Sequence, residues 1–96
     1  MMVLVSYDIS TESNAGRKRL RKIAEKCLDY GRRVQFSVYE CDISPGQWEE
    51  LKYQLVKLYE PEEDSLRFYF LGKNWQKRVE HFGVKKAISP EEVHIL

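Results

Sequence analysis

The segment Arg32-Arg33-Val34-Gln35-Phe36-Ser37-Val38-Tyr39-Glu40-Cys41-Asp42-Ile43 reads as extended backbone. Val34, Phe36 and Val38 alternate with Gln35, Ser37 and Tyr39, the two-residue period of a strand. Twelve residues is long for a single strand. A bend near Ser37 would divide it into a short edge piece and a longer central piece. With that division the chain becomes βαββαβ, and the architecture turns on it.

On the N-terminal side, Met2 to Ile9 is a dense apolar run with β-branched Val3, Val5 and Ile9. It predicts a strand buried on both faces. A polar loop, Ser10 to Gly16, leads into a helix over about Asn14 to Tyr30. Leu20, Ile23, Ala24, Cys27 and Leu28 make that helix's apolar stripe. Gly31 is expected as the residue just past its end, in the left-handed conformation typical of that position. On the C-terminal side, Ser44-Pro45-Gly46-Gln47 is a helix start with an N-cap, a proline at N1 and a capping box. Trp48, Leu51, Leu55 and Leu58 then mark a buried helix face running to about Tyr59. Leu66 to Leu71 alternates as a strand. Short strands are expected near Lys77 to His81 and at Glu92 to Leu96. The expected fold is α+β, a single ferredoxin-like βαββαβ domain over 1–96 with both helices on one sheet face and an extra C-terminal strand. Tyr7, Tyr39, Tyr69 and Leu71 place apolar groups at both strand parities. The open sheet face is therefore expected to be covered by a second copy of the chain in a two-fold homodimer, with Val93 to Leu96 pairing on the partner's edge.

The chain carries 16 Lys and Arg against 15 Asp and Glu, a formal charge of +1 that argues superficially against nucleic acid. The distribution reverses that argument. Residues 17–33 hold eight basic and two acidic residues, a local +6, and residues 40–64 hold the opposite, a local −6. Screening separates the two fields. A helix beginning Arg-Lys-Arg opposes its own dipole, so the basic cluster is either a solvated face or an anion site. No apolar run spans a bilayer, so no membrane is expected. Cys27 and Cys41 lack metal-ligand spacing and read as reduced core residues of a cytoplasmic protein.

Asp8 is the most informative residue. It is a carboxylate at the end of the most apolar strand, where an ionised group needs compensation. It either bonds the amides of the following loop or serves as a metal ligand. One carboxylate does not make a Mg²⁺ site; two copies of Asp8 brought together by a two-fold axis, with phosphate and water, would. His81 and His94 stand alone, Ser37 has no base beside it, and the run Glu62-Glu63-Asp64 reads as a solvated turn. Phosphate-binding glycine loops and a nucleophile elbow are absent. Leu66 to Phe70 lacks the glycine and lysine context of an RNA-recognition strand.

Val5-Ser-Tyr-Asp-Ile9, the helix with Arg17 and Arg19, and Arg33-Val-Gln-Phe-Ser-Val-Tyr-Glu40 together resemble the CRISPR-associated protein 2 family. Asn74-Trp75 and Val79-Glu80 look like its type I-C subgroup. The resemblance implies a ferredoxin-like homodimer active in CRISPR antiviral defense. It implies metal-dependent phosphodiester cleavage of RNA or DNA, a scaffold role beside the CRISPR-associated protein 1 integrase in spacer acquisition, or both. It implies that Asp8 binds Mg (or Mn) shared between two Asp8 across the dimer. Tyr7, Ser37 and Tyr39 join Asp8 as candidate catalytic residues. Arg17, Arg19 and Arg33 are the candidate contacts to double-stranded DNA or single-stranded RNA. Tyr39 stands where phenylalanine is usual, and its hydroxyl is a mild departure.

Overall fold

The computed structural model describes residues 1–72 and 79–83. Along the chain these form β1 (Met2–Asp8), α1 (Asn14–Tyr30), β2 (Arg32–Gln35), β3 (Val38–Asp42), α2 (Pro45–Leu58), β4 (Ser65–Phe70) and β5 (Val79–Gly83). The long extended segment does divide, with a turn at Phe36 and Ser37. The five strands form one sheet in the order β2-β3-β1-β4-β5, and every neighbouring pair is antiparallel. The first four strands and two helices are the ferredoxin-like arrangement expected from the sequence. The expected tail strand at Glu92 to Leu96, its pairing on a partner's edge, His94, and the Asn74-Trp75 pair all lie outside the described residues.

Local chemistry sets the element ends. The Ser13 side chain accepts from the Gly16 amide and caps α1. At α2, Ser44 and Gln47 form the full reciprocal capping box, with Pro45 in the first turn. Gly31 departs from expectation. Its φ of −158° is extended rather than left-handed, and its N–H closes the helix on the Cys27 carbonyl. Glycine is needed there for proximity. A Cβ would sit 2.2 Å from the Glu40 carbonyl oxygen and 2.5 Å from the Cys41 sulfur.

The core lies between the helices and one sheet face. Val3, Val5 and Tyr7 of β1, Tyr39 and Cys41 of β3, and Leu66 and Phe68 of β4 pack with Ile23, Cys27, Trp48, Leu51 and Leu55 from the helices. Trp48 sets its edge against Phe68 and Phe70, with ring centroids 4.7 and 5.2 Å apart. Of the residues read as apolar groups at both parities, Tyr7 and Tyr39 belong to the helix side. Strand alternation leaves Leu4, Ser6 and Asp8, together with Arg67 and Tyr69, on that other face. Leu4, Arg67 and Tyr69 are nonetheless buried.

Candidate nucleic-acid and catalytic site

Asp8 ends β1, where it is paired in register with Ser65 of β4. The residue is exposed rather than enclosed within the strand as expected. Alternation turns Asp8 to the sheet face away from the helices, so its carboxylate stays out of the core although Ile9 after it is buried. Asp8 opens on a cavity of about 180 Å³ whose lining includes Ser6, Ser65, Arg67 and His81.

Arg67 is a residue that sequence reading missed, and His81, read as standing alone, is its partner. Arg67 is 8% exposed, a cation held almost wholly out of solvent. Its Nε and Nη2 lie 3.2 and 2.9 Å from His81 Nδ1. A guanidinium only donates, so Nδ1 is the acceptor, and the neutral His81 ring carries its proton on Nε2. The signal available in sequence was weak: Arg67 occupied the polar parity of a strand, and its partner was fourteen residues away.

The buried carboxylate is Asp64. It is 0% exposed, which corrects the reading of Glu62-Glu63-Asp64 as a solvated turn. Arg19 grips it through Nε and Nη2 at 2.8 and 3.3 Å. The amides of Ser10 and Glu60 donate to it at 2.9 and 2.8 Å. Burial pushes the Asp64 pKa upward, but Arg19 and the two amides outweigh it and hold the carboxyl below the ordinary carboxylate range. Asp64 therefore ties the β1–α1 loop, which follows Asp8, to the turn before β4. Arg19 is spent on this contact, with its side chain 17% exposed.

Arg17 is exposed at the start of α1. It donates to the Thr11 carbonyl at 3.0 Å and to the Asn14 side-chain oxygen. Lys18, Arg21 and Lys22 are exposed on the same helix. Arg33 stands opposite Tyr39 in the β2–β3 pairing, with Nε and Nη2 donating to the Tyr39 hydroxyl at 3.1 and 2.9 Å. The Tyr7 and Tyr39 hydroxyls are 3.3 Å apart. Burial first, and then the Tyr39 hydroxyl, push Tyr7 far above the ordinary phenol range, so it stays protonated at neutral pH. Ser37 sits in the turn, and its carbonyl accepts from the Tyr7 amide at 3.1 Å. Successive residues of a strand point to opposite faces. Asp8 therefore faces the cavity, which Tyr7 also lines, while the Tyr7 ring packs on the helix side with Tyr39, to which Arg33 donates. The structure joins Tyr7, Tyr39 and Arg33, places Asp8 on the other face at a cavity that Tyr7 also lines, and brings Arg17 and Arg19 to neither.

The chain matches the family model for CRISPR associated protein Cas2 over residues 1–79. It is 56% identical over 96 residues, the full length of both chains, to a Chlorobaculum tepidum protein named CRISPR-associated endoribonuclease Cas2. A Halalkalibacterium halodurans protein named CRISPR-associated endonuclease Cas2 is 49% identical over 92 residues, 96% of each chain. Among solved structures, Streptococcus pyogenes Cas2 at pH 6.5 superposes with a TM-score of 0.70 at 56% identity, covering 83% of this chain and 96% of that one. The sheet order, the β1 end at Asp8 and these full-length likenesses agree: this chain belongs to the Cas2 family of CRISPR-associated proteins.

Proposed function

We propose that the protein is a metal-dependent endonuclease of CRISPR adaptation, cleaving phosphodiester bonds in RNA or DNA. The observation that carries this reading is the 56% identity, over all of both chains, to a relative named an endoribonuclease. The exposed Asp8 at a cavity that also holds a buried guanidinium supports it. In this reading Arg67 offsets the charge of a phosphate at the cavity, and Arg17 and Arg33 hold backbone phosphates from the helix side.

The donor set bears on the metal. Among the described residues there is no group of three or more His, Cys, Asp or Glu able to hold an ion. Mg²⁺ or Mn²⁺ takes about six oxygen ligands. One chain contributes the Asp8 carboxylate with the Ser6 and Ser65 hydroxyls nearby, so the fit requires a homodimer that brings two Asp8 together. When bound, such an ion lowers the pKa of a coordinated water and polarises a phosphoryl oxygen. The protein's own share is to present the Asp8 carboxyl at an accessible cavity that Arg67 also lines.

A second reading is favoured by the exposed basic face of α1. A homodimer would grip duplex DNA there without reading sequence, and dock the CRISPR-associated protein 1 integrase, in the cytoplasm. The two free, buried thiols suit that reducing setting. No described helix is long and apolar enough to cross a membrane. The deciding experiment compares the parent with Asp8→Asn for cleavage of single-stranded RNA and duplex DNA in Mg²⁺, and for spacer acquisition in cells. Loss of cleavage in the variant supports the nuclease. Equal rates overturn it, and full acquisition without cleavage favours the adaptor.

A further inference from the structure

We propose that the Tyr39 hydroxyl is a positioning group that aims the outer edge of the Arg33 guanidinium at a nucleic-acid phosphate. The proposal rests on the nucleic-acid reading above, and it concerns how one arginine is made ready for that ligand.

Three arginines in this region are held, and they are held differently. Arg19 is paired with Asp64, and Arg32 with Glu40 at 3.0 Å, so carboxylates cancel much of both charges. Among the described residues no carboxylate lies within ion-pair distance of Arg33; its Nε and Nη2 both meet one phenol oxygen. A neutral hydroxyl orients a guanidinium without neutralising it. The anchor is rigid. Tyr39 is 0% exposed, and its ring stacks on Tyr7 with centroids 5.9 Å apart and planes at 27°.

The direction of the hydrogen bonds follows from counting protons. The Tyr39 oxygen accepts two N–H groups from Arg33, so its own hydrogen is directed to the Tyr7 oxygen, a long contact at 3.3 Å. The order is Arg33 to Tyr39 to Tyr7. Arginine has five N–H groups. The two on the Nε–Nη2 edge are used, and the remaining three lie on Nη1 and the far side of Nη2. Those are the coplanar donors that engage two phosphate oxygens at once. Arg33 is exposed, and no hydrogen bond among the described residues uses this edge, which is the one offered to the phosphate. A tethered fork loses less side-chain freedom on binding than a loose one.

The rival explanation is that Arg33 only satisfies the hydroxyl of a buried tyrosine. Tyr39→Phe separates the two, because it keeps the ring and removes the oxygen. Affinities for a labelled single-stranded RNA and a labelled duplex DNA are measured across a salt series for the parent, Tyr39→Phe, Arg33→Ala and the double variant. The expected result is about fivefold weaker binding for Tyr39→Phe and no further loss when it is added to Arg33→Ala. The slope of log affinity against log salt should fall by about 0.7–0.9 in Arg33→Ala. The RNA and DNA arms show which backbone is preferred. Unchanged affinity in Tyr39→Phe alongside weakened Arg33→Ala overturns the proposal, as does a Tyr39→Phe effect that persists without Arg33. If the parent binds neither oligonucleotide, the nucleic-acid reading fails by itself. The Arg33 Nε–H NMR order parameter still decides the tether: a drop in Tyr39→Phe supports it, and no change overturns it.

Discussion

Replacing Asp64 with alanine should be among the most damaging single changes available to this fold. The substitution removes a fully buried carboxylate that accepts from two backbone amides and from Arg19. Four hydrogen bonds go at once. The Ser10 and Glu60 amides lose the carboxylate they donate to, and the Arg19 guanidinium loses its closest counter-charge, with Glu63 left at 3.6 Å. Breaking a buried ion pair from one side costs about 3–5 kcal/mol. In a domain of this size each kcal/mol lowers the midpoint by about 4–8 °C, so a fall of about 12–40 °C is expected. Urea unfolding followed by circular dichroism, at one fixed protein concentration, measures the loss. Arg19→Ala and the double variant complete the cycle, and their non-additivity reports the coupling. Asp64→Asn keeps one acceptor and adds an unwanted donor, so it should cost nearly as much. The pH profile supplies an independent sign. The Asp64 pKa is lower folded than unfolded, so its stabilisation is fully present above the unfolded value of about 3.9 and is lost as pH falls through the folded one. Asp64→Asn should flatten the acid limb of stability against pH. A loss below about 1 kcal/mol for Asp64→Ala, or an unchanged acid limb in Asp64→Asn, would refute this account of the contact.

Gly31→Ala should destabilise the fold by about 2–3 kcal/mol, because the new Cβ would overlap the Glu40 carbonyl oxygen. A smaller effect in thermal melts would mean the α1–β2 junction yields more easily than its packing suggests. Burial pushes the Cys27 thiol up to about 12 and the Cys41 thiol up to about 11. Both should therefore react slowly with a disulfide reagent at pH 8 and rapidly in denaturant; fast labelling of the native protein would contradict that.

The elements themselves were largely legible in the sequence, because the forces that set them are local. The Ser44 and Gln47 capping box, the apolar stripe of α1 and the division of Arg32–Ile43 near Ser37 each depend on residues a few positions apart. The reading of individual charges fared less well. Asp8 was expected to be costly because its neighbours along the chain are apolar, yet it lies exposed on the sheet face opposite the helices. Asp64 was expected in solvent because its neighbours along the chain are acidic, yet it is the buried one. The Tyr39 hydroxyl looked incidental until the β2–β3 pairing set Arg33 across from it.

The sequence by itself determined that this is an α+β chain of the βαββαβ pattern with a basic helix, a carboxylate at the end of its first strand and a motif that marks the Cas2 family. Local hydrogen bonding and side-chain periodicity encode that much. Only the tertiary structure decided which charges are held and which are offered. Asp64 takes its partners from Arg19 and Ser10, 45 and 54 residues away along the chain, and Arg67 takes His81 from a neighbouring strand. The energy of a charge depends on its surroundings in space, and those surroundings exist only once the sheet and helices have closed on each other.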